Sequence, residues 1–148
     1  ISIYKLRTMH PYAEYLQEYI YRKYDLKDGG KFKNDFRITE WGHVLRAFWI
    51  DELPMLYNLI KGELKLVGVR PLSKHYLSLY SKELIELRSH FKPGLVPPFY
   101  LDLPNNLNEI MASETRYLRA YSETPVQTNF KYFFGALKNI VFKKVRSN

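Results

Sequence analysis

The sequence predicts a single, mostly helical α+β domain with few, short strands. Three observations carry that reading. The chain has 148 residues, about the length of one domain; apolar residues recur at helical spacing behind capping residues; and period-two alternation is confined to short stretches. At 46% hydrophobic and 16% aromatic, the composition lies far above that of a disordered segment. No run approaches the ~18 consecutive apolar residues that span a bilayer. The absence of cysteine removes disulfide scaffolds, thiolate zinc sites and cysteine nucleophiles.

Ile3, Tyr4, Lys5, Leu6 and Arg7 alternate and read as a short strand. Pro11 starts a helix with Tyr12, Tyr15, Leu16 and Tyr19 on one face, ended by Asp28, Gly29 and Gly30. Thr39 caps a second helix, whose apolar face is Trp41, Val44, Leu45 and Phe48. Asp51 caps a third: Pro54 is tolerated in its first turn, Leu53, Leu56, Tyr57 and Ile60 form a stripe, and Gly62 ends it. Residues 63–69 then alternate as a half-buried strand closed by Arg70 and Pro71. A helix from about Ser81 to Phe91 stops before Pro93 and Gly94, and the segment through Val96, Pro97, Pro98, Phe99, Tyr100 and Pro104 reads as extended or looped. Asn106 with Glu109 three residues on resembles a capping box for a helix bearing Leu107, Ile110, Met111, Leu118 and Tyr121. A last helix begins near Asn129 and carries Phe130, Phe133, Phe134, Leu137, Val141 and Val145 at helical spacing.

Lysine and arginine number 23 against 15 acidic residues, a net charge of +8 that favours an anionic partner. Lys131, Lys138, Lys143, Lys144 and Arg146 close the chain without an acidic neighbour, and Tyr19, Tyr21, Arg22, Lys23 and Tyr24 interleave aromatics with cations. Such interleaving suits nucleobases, lipid headgroups or plain solvent. His10, His43, His75 and His90 have no metal-ligand spacing, and neither a nucleophile elbow around serine nor a Gly-rich phosphate loop is present. Asp51 and Glu52 stand adjacent at a helix start, where free N–H groups favour negative charge. An ordinary cap accounts for them; so does a carboxylate pair that gathers a divalent cation or attacks phosphorus.

Further motifs narrow the choice. The stretch from Phe36 to Arg46, FRITEWGHVLR, runs into Ile50 to Leu72, IDELPMLYNLIKGELKLVGVRPL, with YKLRTM from Tyr4 to Met9 upstream. These three ordered motifs resemble the bacterial sugar transferases, the polyprenyl-phosphate phosphoglycosyl transferases with one membrane-inserted helix. The resemblance is close over the first half of the chain and looser beyond it. It implies transfer of a sugar 1-phosphate from a UDP-sugar to a polyprenyl phosphate such as undecaprenyl phosphate, releasing UMP and starting a surface glycan. It implies Asp51 as the nucleophile, Glu52 with Asp51 as the Mg²⁺-holding dyad, and Lys5 and Arg70, with Arg7 and Arg46 in second place, as phosphate contacts. It also implies a site at the cytoplasmic face of the bacterial inner membrane and an N-terminal membrane helix preceding Ile1; a nucleic-acid-binding domain would rest on charge and aromatics alone, and no nucleic-acid partner is expected. The last helix then either packs on the core or lies among lipid headgroups. The sequence departs from the family pattern at Val69, where Gly-Pro-Arg-Pro becomes Gly68, Val69, Arg70 and Pro71, and after Pro93 and Gly94, where an Asn-Gly-Arg is replaced by Tyr100 to Pro104. Those departures keep open an alternative: a catalytically weakened member serving as a membrane scaffold.

Overall fold

The computed structural model describes residues 1–16, 19–20, 26–27, 31–32 and 35–142. Its elements are β1 (Leu26–Lys27), β2 (Lys31–Phe32), α1 (Glu40–Ala47), α2 (Met55–Ile60), β3 (Lys65–Val67), α3 (Lys74–Leu77), α4 (Lys82–Ser89), β4 (Gly94–Val96), α5 (Phe99–Asp102), α6 (Leu107–Glu123) and α7 (Pro125–Phe142). The fold is therefore α+β and mostly helical, as the periodicities predict. Short 3₁₀ turns at Ala13–Leu16 and Ile50–Glu52 complete it. No helix among the described residues is long and apolar enough to cross a membrane.

A hydrophobic core forms where α4, α6 and α7 close over β3. Val67, Val69, Tyr80, Leu84, Ile110, Tyr117, Leu118 and Tyr132 are buried together there. β3 and β4 pair in parallel, Lys65 opposite Gly94 and Val67 opposite Val96. Gly68 and Gly94 make that approach possible, because a Cβ on Gly94 would lie 2.1 Å from the Gly68 nitrogen. The predicted caps hold: the Ser81 side chain accepts from the Leu84 N–H, and the Asn106 side chain from the Glu109 N–H. Glu109 reaches back to Asn105 and Asn106 and closes the box.

Several expectations are corrected. Residues 3–7 form a ribbon and not a strand, since they pair with no strand among the described residues; an isolated bridge joins Met9 to Ile38. Of the helix expected from Pro11, the described residues show a 3₁₀ turn at Ala13–Leu16, with Tyr12 at φ 67, and helical backbone at Tyr19 and Ile20, while the antiparallel β1–β2 pair flanks the expected stop. Its aromatic face is turned outward: Tyr12, Tyr15, Leu16 and Tyr19 are exposed, while Ala13 and Ile20 are buried. The stop at Asp28, Gly29 and Gly30 lies outside the described residues, as do Tyr21 to Tyr24 and Lys143, Lys144, Val145 and Arg146. Asp51 does not cap the third helix, because a turn at Leu53 and Pro54 separates them and Pro54 takes the cap position of α2. The segment beyond Pro93 is ordered into β4 and α5, Pro98 fitting a helix start where no N–H is required. The same tolerance lets α7 begin at Pro125 and not near Asn129.

The largest correction concerns direction. Thr39 caps α1 as predicted, its side chain accepting from the Gly42 N–H at 2.9 Å, and Gly62 ends α2 at φ 70. Yet the apolar stripes of both helices face outward: Trp41 is 79% and Ile60 84% exposed, with Val44, Phe48, Leu53, Leu56 and Tyr57 exposed beside them. α7 behaves likewise, burying Thr128, Tyr132, Ala136 and Asn139 while exposing Phe130, Phe134, Leu137, Val141 and Phe142.

Candidate active site

The ribbon before α1 is tied to the body by polar partners. The Leu6 N–H donates to the Asp51 carbonyl at 2.9 Å, and the Tyr4 N–H donates to Asn58 Oδ1 at 3.1 Å. Asn58, fully buried in α2, donates through Nδ2 to the Ser2 carbonyl at 2.7 Å and to Glu63 Oε2 at 2.6 Å. Farther along, the Thr39 N–H donates to the Thr8 carbonyl at 3.0 Å, and Arg46 Nε donates to Thr8 Oγ1 at 2.9 Å. These bonds hold Lys5 over the turn that carries Asp51 and Glu52.

That turn begins at Trp49, whose φ of 55 places a bulky residue in the left-handed region. Such a conformation costs on the order of 1 kcal/mol or more and persists only where its surroundings fix it. Here it reverses the chain after α1 and turns Asp51 inward. Asp51 is 6% exposed, and its Oδ1 is buried with no hydrogen-bond partner among the described residues. Glu52 receives both cations through one oxygen: Lys5 Nζ at 2.7 Å and Arg70 Nη2 at 3.8 Å from Oε1.

Arg46 joins the same cluster. Burial pulls its guanidinium below the usual value, while Asp51 and Asp35 push back and Arg70 repels it. The structure thus brings together Asp51, Glu52, Lys5, Arg70 and Arg46. Arg7 stays out: it is exposed, and no hydrogen bond or ion pair among the described residues joins it to Asp51 or Glu52. No group of three or more histidine, aspartate and glutamate side chains suited to a metal occurs among the described residues.

A groove of about 190 Å³ opens beside Glu52. Its walls include Trp49, Leu53, Leu56, Leu95, Tyr100 and Ile140, so apolar surface runs up to the edge of the charged cluster. Tyr100 is one of the residues that the sequence did not point to. Burial raises its phenol, Arg70 lowers it and Glu52 and Asp51 raise it again, and Tyr100 lines the groove together with Glu52. Asn139 of α7 fixes it from behind, donating to the Tyr100 and Leu101 carbonyls at 3.0 Å each. The replacement of Asn-Gly-Arg by Tyr100 to Pro104 was the available signal.

The donor set suits Mg²⁺. That ion takes one or two carboxylates and completes its octahedron with waters and substrate phosphates. Asp51 and Glu52 supply hard oxygens, and the unpartnered Asp51 Oδ1 is a ligand atom without a competing bond.

Comparison with known proteins agrees with the motifs. The sequence profile of the family described as bacterial sugar transferase matches residues 1–143. The chain is 36% identical over 94 residues to the uncharacterized sugar transferase EpsL of Bacillus subtilis, covering 64% of this chain and 40% of that protein. It is 33% identical over 124 residues to the galactosyl transferase CpsE of Streptococcus agalactiae, covering 80% of this chain and 27% of that protein. It is 42% identical over 65 residues to the undecaprenyl-phosphate galactose phosphotransferase of Salmonella typhimurium, covering 44% and 13%. The chain therefore spans less than half the length of each of these relatives. With the profile matching nearly its whole length and a paired carboxylate set between cations, the chain belongs to the bacterial sugar transferase family.

Proposed function

We propose that this chain transfers a sugar 1-phosphate from a UDP-sugar to a polyprenyl phosphate, using Asp51 as nucleophile. The observation that carries this reading is the buried, unpartnered Asp51 Oδ1 beside a Glu52 that gathers Lys5 and Arg70. The acceptor class comes from the Salmonella relative, whose name gives undecaprenyl phosphate.

In the first step an Asp51 oxygen attacks the β-phosphorus of the UDP-sugar. The bond from that phosphorus to the bridging oxygen breaks, and UMP leaves with the bridging oxygen and the electron pair. An acyl phosphosugar remains on Asp51. In the second step a phosphate oxygen of the polyprenyl phosphate attacks the same phosphorus, the Asp51 carboxylate departs, and a polyprenyl diphosphosugar results. Phosphoryl transfer is governed by positioning and by neutralising charge on the phosphate oxygens. Arg70, Lys5 and Arg46 supply that positive charge. Mg²⁺ held by Asp51 and Glu52 would supply further charge neutralisation on the diphosphate. Arg7, exposed and outside the cluster, acts at most on the incoming substrate.

The product would start a surface glycan at the cytoplasmic face of the bacterial inner membrane. Exposed apolar faces on α1, α2 and α7 favour such a location, because water-exposed tryptophan, phenylalanine and isoleucine gain about 25 cal/mol per Å² on entering lipid.

The test uses full-length protein reconstituted in membranes and a panel of UDP-sugars. We expect UMP release with at least one sugar and a phosphosugar adduct on Asp51 by mass spectrometry. Asp51→Asn should form neither. Lipid binding without an adduct from any UDP-sugar would replace this reading by that of a membrane scaffold.

A further inference from the structure

Among the described residues two ion pairs are almost wholly buried: Arg37 with Asp35, and Arg88 with Glu114. The first has a local task. Arg37 holds Asp35 at 2.9 Å and 2.7 Å and donates to the Ala13 carbonyl at 3.3 Å, fastening the ribbon end to the turn before α1. The second lies in the main core, where apolar side chains would serve packing as well or better. Burying two charges costs several kcal/mol per ion before their attraction returns it, and apolar replacements of such pairs are often neutral or stabilising.

The contact that leads out of the second pair gives it a purpose. Glu114, 1% exposed, accepts from Arg88 Nη1 through Oε2. Arg88 Nη2 donates to the backbone carbonyl of Arg70 at 2.5 Å, and the Arg88 guanidinium lies 5.3 Å over the Tyr80 ring. A planar fork held on three sides presents its free N–H in one direction only. At Arg70 the chain leaves the sheet. The last bond toward the neighbouring strand runs from the Gly94 N–H to the Val69 carbonyl at 2.9 Å, and Pro71 has no N–H to offer. The Arg88 bond thus fixes the peptide between Arg70 and Pro71, whose carbonyl belongs to the same residue that reaches toward Glu52.

We propose that Arg88, braced by Glu114, is a positioning residue for Arg70, fixing its backbone so that its guanidinium stays over Glu52 and the diphosphate of the substrate. This rests on the phosphate-binding role of Arg70 given above. Arg88 acts through Arg70 and touches neither substrate nor reacting atoms.

The test compares four forms of the full-length protein in membranes: wild type, Arg70→Lys, R88M/E114L and the triple combination. UMP release and thermal midpoint are measured for each. R88M/E114L should keep or raise its midpoint while transfer falls about tenfold, since misplacing a positioned group by an ångström costs one to two orders of magnitude. The triple variant should be slower than Arg70→Lys by less than about twofold, because both changes act on the same contact and do not add. Wild-type transfer in R88M/E114L, or losses that multiply in the triple variant, would overturn the positioning role. Wild-type transfer in Arg70→Lys would instead remove the role of Arg70 and the proposal with it. Should R88M/E114L fail to fold, Arg88→Lys decides: it keeps the charge beside Glu114 but lacks the fork, and transfer must still drop.

Discussion

The two ends of this domain are built on opposite rules. Around β3, α4, α6 and α7 the buried residues are Val67, Val69, Leu84, Ile110, Tyr117 and Leu118, as expected of a domain folded by apolar burial. Around the ribbon, α1 and α2 the buried set includes Thr8, Asp35, Arg37, Asp51 and Asn58, while Trp41, Phe48, Leu53 and Ile60 face out. The first region is held by its contact with itself. The second is held by a small number of directed bonds, and its apolar surface is left for another medium. The proposed chemistry sits in the second, where one oxygen of Asp51 is buried without a hydrogen-bond partner among the described residues, next to a Glu52 that gathers Lys5 and Arg70.

The sharpest way to break this contrast is Asp51→Asn. Transfer should fall by roughly three orders of magnitude or more, the scale of removing a nucleophile. Because the buried Oδ1 has no partner, the thermal midpoint should stay or rise. A matched pair sharpens the comparison next. Leu118→Ala in the apolar core should cost about 2–5 kcal/mol by urea unfolding. Asn58→Leu should cost about 3 kcal/mol by stranding the Tyr4 N–H and the Ser2 carbonyl. Below their midpoints only the Asn58 variant should lose transfer, more than tenfold, since it releases the ribbon that carries Lys5. Equal losses of transfer in the two would erase the distinction.

Smaller effects follow on the surface. Trp41→Ser and Phe134→Ser should leave stability within about 0.5 kcal/mol yet weaken binding to vesicles containing anionic lipid. A drop of several degrees in midpoint would make those faces core after all. The smallest test concerns an exception within the apolar region. Lys65 Nζ is buried without a hydrogen bond, 3.3 Å from the centre of the Tyr121 ring, and burial pushes its amine down to about 8. The unfolded chain then binds more protons than the native one from about pH 8 up to the ordinary value of 10.5, so stability contributed by this group rises with pH across that window. Burial raises Tyr80 and Tyr117, which act in the opposite sense above pH 10. The effect is therefore read as the difference between wild type and Lys65→Met from pH 7.5 to 9.5. A flat difference would show the aromatic rings fully offsetting the burial.

Much of this was legible beforehand, for local reasons. Thr39, Ser81 and Asn106 announce helix starts because each satisfies a nearby N–H, and Asp51, Glu52, Lys5 and Arg70 sit in motifs whose spacing the fold preserves. What failed was direction. Spacing identifies a stripe on α1 or α2, but a stripe is the same whether it meets core or lipid. Asn58 was hidden for that reason, lying on α2 outside its apolar stripe. Arg88 and Tyr100 were hidden because their partners, Glu114 and the Asp51 cluster, are brought to them by tertiary packing alone.

The ribbon has a consequence for the order of assembly. Lys5 and Glu52 are separated by 47 positions, and Tyr4 and Asn58 by 54. Closing such a loop costs chain entropy of roughly 3 kcal/mol before any bond repays it. With no ladder among the described residues to zip along, the ribbon is expected to dock late and open early. The amides of Tyr4 and Leu6 should therefore exchange with solvent well before that of Leu118. The lysine proposed to bind phosphate would thus ride on one of the least protected stretches of the fold, and the competence of the site would depend on a local equilibrium separate from global unfolding.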